Sequence, residues 1–242
     1  MRQICWLPPN SKPEFPSTTM ALDEPNGLLA FGGELNTPWL LNAYRNGIFP
    51  WFSDDEPIMW WSPSPRMVLK PGTAHISRSL RKLFKKLNIK IYTNRSFDYV
   101  VDRCSSSKLR IDGTWITPDM KLAYGLLHKE GWAHSVEVWQ DQRVIGGLYG
   151  VGIDRTFFGE SMFSESPSAS KFAFIALSEW AASAGLTMID CQLYNPYLAS
   201  LGASLIGRIP FEKQLPQAEK RLSLVQKPEL TEYLSLAMLQ QR

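Results

Sequence analysis

Cysteines are few in this sequence, and a long hydrophobic run is absent. Cys5, Cys104 and Cys191 are scattered over 242 residues, which argues against a disulfide framework and suits a reducing cytoplasm. No apolar run approaches the ~18 residues of a membrane-spanning helix, and the N-terminus lacks the apolar core of a signal peptide. The three histidines and three cysteines show no zinc spacing. We therefore expect a cytoplasmic protein without membrane attachment or a metal.

Acidic residues are absent between Glu56 and Asp98. Because the whole chain carries a net charge of +3 and this window carries nine positive charges, the remainder carries −6. Such a separation of charge indicates that one face binds a polyanion. The nine residues are Arg66, Lys70, Arg78, Arg81, Lys82, Lys85, Lys86, Lys90 and Arg95.

Several common catalytic signatures are also missing. The sequence contains no GxSxG, Walker A or HExxH motif, which argues against a nucleophile-elbow hydrolase, a P-loop NTPase and a zinc protease. The segment "RVIGGLYG" resembles an acyl-CoA pyrophosphate loop, but it lies in a predicted hairpin with no helix following it. We therefore do not predict a phosphate-binding loop there.

Large aromatic rings are abundant on one segment that cannot be a continuous helix. "GIFPWFSDDEPIMWWSP" carries five rings among prolines and acids, and the chain has nine tryptophans in all. Rings beyond the needs of a core often line binding surfaces. For Trp60 and Trp61 the simpler interpretation is packing at a domain junction.

The pattern of the chain changes near residue 66. The first 65 residues are rich in Pro, Gly and aromatics, with one short helix in "NTPWLLNAYRNG" that Thr37 should cap. Helices and strands then alternate, and Thr117 should cap the helix in "TPDMKLAYGLLHKEG". We predict an α/β (α+β) protein with a small N-terminal domain over residues 1–65. A mixed sheet flanked by helices should fill residues 66–242.

The segment "SRSLRKLFKKL" predicts an amphipathic helix with a basic face. One interpretation is an ordinary solvated face. The other is a surface that neutralises phosphates, and the lack of compensating acids together with nearby rings favours RNA or tRNA over duplex DNA. The basic residues are Arg78, Arg81, Lys82, Lys85 and Lys86.

Two strand ends carry polar side chains that could do chemistry. Glu160 follows Gly159 in "FFGESMFS", either as a loop carboxylate bonded to the backbone or as a carboxylate in a pocket. In "MIDCQLYN", strand alternation predicts that Asp190 and Gln192 point to the same side and pair. A structural network, with Asn195 as a helix cap, is the alternative. Cys191 should point into the core and has no nearby base, so we do not predict a nucleophile.

Eleven short segments carry a resemblance that covers about residues 15–203. They are "EPNGLLAFGGELN", "GIFPWF", "WWSPSPR", "HISRSLRK", "GTWIT", "AHSVEVW", "GGLYGV", "FFGESMFS", "SASK", "IDCQLYN" and "ASLGA". In this order they resemble the bacterial leucyl/phenylalanyl-tRNA–protein transferases. The resemblance implies a C-terminal domain with the GCN5-related acetyltransferase fold, aminoacyl-tRNA as donor, and no cofactor. The tail beyond about residue 216 shows no match.

The resemblance also implies a reaction. The family transfers Leu or Phe, and Met less efficiently, to proteins with N-terminal Arg or Lys, which marks them for N-degron proteolysis. Asp190 and Gln192 match residues that support catalysis: Gln192 would contact the attacking amine, and Asp190 would orient and polarise Gln192. Positioning of the substrates alone is the alternative. A carboxylate pair of Glu160 and Asp190 would suit the cationic acceptor.

Further residues match binding positions of the family. Glu160 and Asn195 match positions that contact the substrates, and the basic helix would hold the acceptor stem of the tRNA. Trp51 and Trp115 match rings that contribute to the apolar pocket for the donor side chain, and Tyr44 and Tyr124 match nearby ring positions.

Two other functions are compatible with parts of the sequence. One is a transferase of similar fold that adds residues from aminoacyl-tRNA to cell-wall precursors. The other is a non-catalytic RNA-binding protein, which would need the basic helix and the rings but not Glu160, Asp190 and Gln192 in one site. We expect a monomer that takes aminoacyl-tRNA and a protein acceptor as partners.

Overall fold

The computed structural model describes residues 4–106 and 115–239, and it contains two mixed sheets flanked by helices. The first sheet has the strand order β1-β2-β4-β3, with β1 and β2 parallel. Its strands are β1 (Cys5–Leu7), β2 (Leu28–Gly32), β3 (Phe49–Pro50) and β4 (Met59–Trp61).

The second sheet has seven strands in the order β11-β5-β10-β9-β8-β7-β6. Neighbouring strands are antiparallel except β9 and β10, which run parallel. The strands are β5 (Arg66–Leu69), β6 (Ile89–Thr93), β7 (Ala133–Gln140), β8 (Arg143–Ile153), β9 (Thr156–Ser164), β10 (Met188–Gln192) and β11 (Ser204–Ile206).

Helices cover both sheets, which confirms the predicted α/β (α+β) class. The closer relation to the GCN5-related acetyltransferase fold stays a prediction. The helices are α1 (Thr37–Arg45), α2 (Arg78–Phe84), α3 (Phe97–Ser105), α4 (Pro118–Lys129), α5 (Ala169–Ser183), α6 (Pro196–Ala199), α7 (Arg208–Glu212) and α8 (Thr231–Leu239). Across residues 4–106 and 115–239, every helix is too short or too polar to cross a bilayer.

The sequence predicted the N-terminal cap of α4 correctly and that of α1 incorrectly. The hydroxyl of Thr117 accepts a hydrogen bond from the backbone N–H of Met120 at 3.2 Å, so this predicted cap is confirmed. The predicted cap Thr37 is wrong, because Thr37 is already helical and Asn36 accepts from the N–H of Trp39 at 3.1 Å. Both Asn and Thr are good caps, so composition alone does not choose between adjacent positions.

Two hydrophobic cores lie on opposite faces of the second sheet. One packs α5 and α8 over residues such as Phe157 and Ile189. The other contains Trp39, Trp60 and Phe158, so it joins the first sheet to the second. The predicted boundary at residue 65 falls in the link between the two sheets, and this shared core crosses it. Trp60 is fully buried there and stacks on Trp39, in agreement with the packing role considered above.

The parallel strands β9 and β10 separate partway along their length. Their pairing ends at Phe158 and Asp190, after which β9 continues beside β8 alone. A bulge moves β10 towards β5, so that Gln192 lies opposite Met67. The split leaves space inside the sheet, and polar side chains from both strands face it.

The C-terminal segment covers the edge of the second sheet. Backbone hydrogen bonds join Thr93 to Pro228 and Leu230 to Ile91, and the hydroxyl of Thr231 accepts the N–H of Ile91 at 2.9 Å. This tail, for which the sequence suggested no role, therefore pairs the open groups of β6. Unpaired edge strands favour association between chains.

The structure predicts that Thr231→Val destabilises the protein by about 1–3 kcal/mol, because the buried N–H of Ile91 loses its acceptor. Urea denaturation should measure the loss. The matched control is Ser235→Ala, whose hydroxyl bonds only to Thr231 within the same helix. Equal stability of the two variants would contradict the edge-covering role of the tail.

Candidate active site

A cavity of about 610 Å³ occupies the split between β9 and β10. Its inner wall is apolar and comes from β8, β9, α5 and β10, which places side chains distant in sequence around one space. The apolar wall includes Leu148, Phe157, Phe174, Leu177 and Ile189. Glu160, Gln192 and Asn195 also line it, so polar groups meet the apolar wall at one side.

Glu160 is the centre of the polar side. Its Oε1 accepts hydrogen bonds from the hydroxyl of Tyr44 at 2.8 Å and from Nε2 of Gln192 at 2.9 Å. Its Oε2 accepts from the hydroxyl of Tyr124 at 2.8 Å. Glu160 and Gln192 thus bridge the split between the two strands.

The two tyrosine hydroxyls are also only 2.5 Å apart, which closes a ring with Glu160. Three contacts in this ring need three protons, whereas two neutral tyrosines supply only two. A proton on Glu160 completes the ring, because Glu160 then donates to one tyrosine hydroxyl and accepts from the other. When Glu160 is ionised, both tyrosines donate to the carboxylate and no proton remains between the hydroxyls. The geometry therefore favours a protonated Glu160.

The electrostatics of the site agree with this proton count. Burial raises the pKa of Glu160 to about 7, against the opposing effect of the hydrogen bonds from Tyr44 and Tyr124. The charge of Asp190 raises this pKa further, and that of Arg66 lowers it. Burial, followed by the charge of Glu160, raises the pKa of both tyrosines well above the usual value, so they stay neutral. Near neutral pH Glu160 can both hold and release a proton, as acid–base catalysts do.

Asp190 is fully buried and is already paired. Its two oxygens accept from Nε of Arg66 at 2.9 Å and from Nη2 of Arg66 at 2.7 Å. Oδ1 also accepts the backbone N–H of Gln192 at 2.8 Å. Asp190 thus holds the backbone of Gln192, whereas Glu160 binds the side-chain amide of Gln192. That Asp190 orients and polarises Gln192 in the reaction stays a prediction. Asp190 also offers no exposed oxygen to a cationic acceptor, which corrects the predicted carboxylate pair.

The four rings predicted in or near the apolar pocket do not line this cavity. Tyr44 and Tyr124 are fully buried and reach Glu160 only through their hydroxyls. Trp51 is 40% exposed on the first sheet, where its ring lies 5.4 Å from that of Trp61. Trp115, whose motif begins outside the described residues, packs against the core that joins the two sheets.

The sequence did not predict the wall of this cavity, for a physical reason. Leu148, Phe157, Phe174 and Ile189 lie in apolar strands and a helix, and their periodicity is that of ordinary core residues. Only the separation of β9 from β10 leaves a space beside them. No local sequence signal marks that separation except the glycine before Glu160.

Asn195 has the capping role that the sequence suggested, and Cys191 lies in surroundings that do not activate a thiol. Oδ1 of Asn195 accepts the backbone N–H of Tyr197 at 2.8 Å, so it caps α6 at the edge of the cavity. Burial raises the pKa of the Cys191 thiol, which opposes formation of a nucleophilic thiolate. Within the described residues, no three His, Cys, Asp or Glu side chains are grouped to hold a metal ion.

The predicted basic helix corresponds to α2, which ends at Phe84, so that Lys85 and Lys86 lie in the turn that follows it. One of the five predicted residues has another role. Arg78, Lys82, Lys85 and Lys86 are exposed. Arg81 is half-buried, and its Nη1 donates to the carbonyl oxygens of Ala237 at 3.1 Å and Met238 at 2.7 Å. It therefore stabilises the end of α8 and leaves four cations for a polyanion. The last turn of α2 packs on α5 through Phe84 and Phe172, whose ring centroids lie 5.9 Å apart.

Comparisons with known proteins identify the family. The model of the leucyl/phenylalanyl-tRNA protein transferase family matches residues 68–216, and the model of its N-terminal domain matches residues 33–64. The leucyl/phenylalanyl-tRNA–protein transferase of Saccharophagus degradans is 51% identical over 218 residues, which cover 90% of this chain and 89% of that protein. The enzymes of the same name from Chromobacterium violaceum and Pseudomonas aeruginosa are 51% and 50% identical and cover 86% and 84% of this chain, with 88% and 89% of their own lengths.

These matches confirm the resemblance that the eleven motifs carry. They extend over most of the chain at about half identity, and the family model over residues 68–216 includes both strands that frame the cavity. The chain therefore belongs to the leucyl/phenylalanyl-tRNA–protein transferase family of aminoacyltransferases.

Proposed function

We propose that this protein transfers Leu or Phe, and Met less well, from aminoacyl-tRNA to the α-amino group of proteins with N-terminal Arg or Lys. The product carries a new peptide bond and a destabilising N-terminus that marks it for N-degron proteolysis. The observation that carries this proposal is the apolar cavity with Glu160 and Gln192 at its polar side. The names of the relatives support the donor and the protein acceptor.

The donor side chain would occupy the apolar wall. Burial of a Leu or Phe side chain there is worth roughly 1.5–3 kcal/mol, which is enough to select against polar amino acids. Phe157, Phe174 and Leu177 come from two rigid elements, so the wall is formed before the substrate arrives. At about 610 Å³ the cavity also has room for atoms of the acceptor beside the donor.

The reaction is attack of an amine on an ester that is already activated, so it needs no ATP. The acceptor nitrogen bonds to the ester carbonyl carbon, and the bond from that carbon to the ribose oxygen of the tRNA breaks. One proton passes from the nitrogen to the departing oxygen. Holding both substrates together supplies a large part of such a rate. A free α-amino group has a pKa of about 7.7–8.0, so weak base assistance is sufficient.

Gln192 and Glu160 would assist this step from adjacent positions. Because Nε2 of Gln192 donates to Glu160, its amide oxygen is left to accept a hydrogen bond from the attacking amine. Glu160 would contact the acceptor or the aminoacyl group and would take or return the proton, since its pKa is raised to about 7. Asn195 lies at the edge of the same cavity and would contact the substrates there.

The tRNA would lie across the basic helix and the exposed rings. Arg78, Lys82, Lys85 and Lys86 would contact phosphates, which binds tRNA with little regard to sequence. Exposed Trp51, beside Trp61, would stack on an unpaired base at the end of the acceptor strand. Cytoplasmic location and a monomeric state remain parts of this proposal.

Charge reversal of Lys82, Lys85 and Lys86 should weaken tRNA binding by about tenfold or more at low salt. The slope of log Kd against log salt should fall by about two to three, because three phosphate contacts are lost. The control reverses three exposed lysines outside α2, namely Lys129, Lys213 and Lys220. Fluorescence titration at several salt concentrations measures Kd and its salt dependence for both variants. An unchanged slope would show that α2 is only a solvated face.

The direct test is transfer of radiolabelled Leu from Leu-tRNA to a peptide with N-terminal Arg. A peptide with N-terminal Gly and free Leu serve as controls. We expect transfer to the Arg peptide from the charged tRNA alone. Transfer to a muropeptide precursor instead would favour the cell-wall reaction. Bound tRNA without transfer to any acceptor would favour the RNA-binding function.

A further inference from the structure

Arg66 is a charged residue at the start of β5 whose side chain is only 1% exposed. The rings of Phe49 and Phe211 enclose its guanidinium, each with its centroid 4.7 Å from the central carbon. These rings come from β3 in the first sheet and from α7 near the end of the second domain. Arg66 therefore joins three separate parts of the chain behind the active site.

A continuous set of hydrogen bonds leads from Arg66 to the polar side of the cavity. The guanidinium holds both oxygens of Asp190, and Oδ1 of Asp190 holds the backbone N–H of Gln192 at 2.8 Å. Gln192 has a φ of +62°, a left-handed conformation that is unusual for a residue other than glycine. The conformation accompanies the bulge in β10, and from it the amide of Gln192 reaches Glu160.

We propose that Arg66 is a positioning residue for the aminoacyl transfer, acting through Asp190 on Gln192. The inference rests on the proposed function, because it concerns the geometry of that reaction. Arg66 fixes the carboxylate of Asp190, the carboxylate holds the left-handed turn, and the turn directs the amide of Gln192 across the split. A misplacement of about 1 Å at such a group can cost a factor of 10² in rate.

Two features distinguish this role from that of an ordinary buried ion pair. Nη1 of Arg66 is buried without a hydrogen-bond partner in the described part of the chain, so the site does not satisfy every donor that it encloses. Buried ion pairs are in addition weak sources of stability, since desolvation opposes their attraction. The arrangement is better suited to holding Asp190 in one orientation than to maximising stability.

The chemistry of the site also requires arginine at this position. The planar fork of a guanidinium binds a carboxylate through two parallel hydrogen bonds and stacks between aromatic faces. A lysine would keep the charge but would make a single, rotatable contact. Arg66→Lys should therefore leave the fold and the charge in place while loosening Asp190 and Gln192.

The test compares Arg66→Lys, Arg66→Met and the double variant Arg66→Met/Asp190→Asn. We expect kcat for Leu transfer to fall about 10- to 100-fold in all three, with KM for Leu-tRNA within about twofold of the wild type. The double variant removes both charges, so it should recover the stability that Arg66→Met loses. Its kcat should nevertheless stay below that of the wild type. Arg221→Lys is the matched control, because Arg221 stacks on Trp132 away from the site.

The outcomes separate a positioning role from a structural one. Recovery of kcat together with stability in the double variant, or a wild-type kcat in Arg66→Lys, would overturn the proposal. If Arg66→Met does not fold, kcat of Arg66→Lys and of the double variant decides between the two roles. A wild-type enzyme that transfers no Leu at all would instead overturn the proposed function, which keeps the two failures distinct.

Discussion

Replacement of Gln192 by Ala is expected to lower kcat for Leu transfer by about 10²–10³-fold, with the affinity for Leu-tRNA unchanged. The amide of Gln192 spans the split between β9 and β10, and in the proposed reaction its oxygen would accept a hydrogen bond from the attacking amine. A positioned hydrogen-bonding group at a reacting centre typically contributes a factor of this size. Steady-state kinetics at saturating acceptor, together with tRNA binding, measure the two effects separately.

The matched control for this variant is Gln214→Ala. The amide of Gln214 donates only to the carbonyl oxygen of Pro210 and lies away from the cavity. The kcat of Gln214→Ala should stay within about twofold of the wild type. A wild-type kcat in Gln192→Ala would instead favour the alternative given above, in which the tRNA and the cavity position the substrates without help from Gln192.

Replacement of Glu160 by Gln is expected to remove the part of the acidic limb of the kcat–pH profile that Glu160 causes, and to leave the limb that the acceptor amine causes. Below pH 7 the wild-type carboxyl holds the proton that completes the ring with Tyr44 and Tyr124, so it cannot take one from the amine. Wild-type kcat should therefore fall by about 10²-fold between pH 8 and pH 5, approaching tenfold per unit below pH 7. The acceptor amine titrates identically in both enzymes, so the difference between the two profiles belongs to Glu160.

The same substitution makes a prediction about stability. The pKa of Glu160 is raised from an ordinary value of 4.5 to about 7 on folding, so the folded state favours its protonated form. The stability that this preference contributes is present in full below pH 4.5 and is lost as the pH rises through 7. The wild type should lose up to about 3 kcal/mol relative to Glu160→Gln over that window. Urea unfolding at several pH values measures the free energy of unfolding of both proteins. Parallel plots of this free energy against pH would contradict the raised pKa of Glu160.

Much of the fold could be predicted because the relevant signals are local. The capping of α4 by Thr117, the buried character of α5 and the hairpin of β7 and β8 all follow from residues within a few positions of one another. The change of pattern near residue 66 coincides with the link between the two sheets. The choice of Thr37 instead of Asn36 as a cap failed because neighbouring positions carry equivalent chemistry.

The candidate site was predicted only in part because its contacts are distant in sequence. Glu160 and Gln192 stood out as polar residues at predicted strand ends, and they do meet. The predicted position of Glu160 is wrong, because β9 continues past it to Ser164 beside β8. The residues that hold Glu160 in place were not predicted in that role. Tyr44 and Tyr124 were expected as rings in or near an apolar pocket, whereas they contribute hydroxyls. Arg81 looked like one more cation of an exposed face until the end of α8 was found against it.

The sequence alone was sufficient for the class of fold, the family and the basic helix, because composition, periodicity and ordered motifs are properties of short segments. The tertiary structure was required for the cavity, for the proton-sharing ring and for the pairing of Arg66 with Asp190. Those features depend on the order of strands in the sheet and on the separation of β9 from β10. Strand order brings together side chains more than a hundred residues apart, and no local pattern encodes which of them will meet.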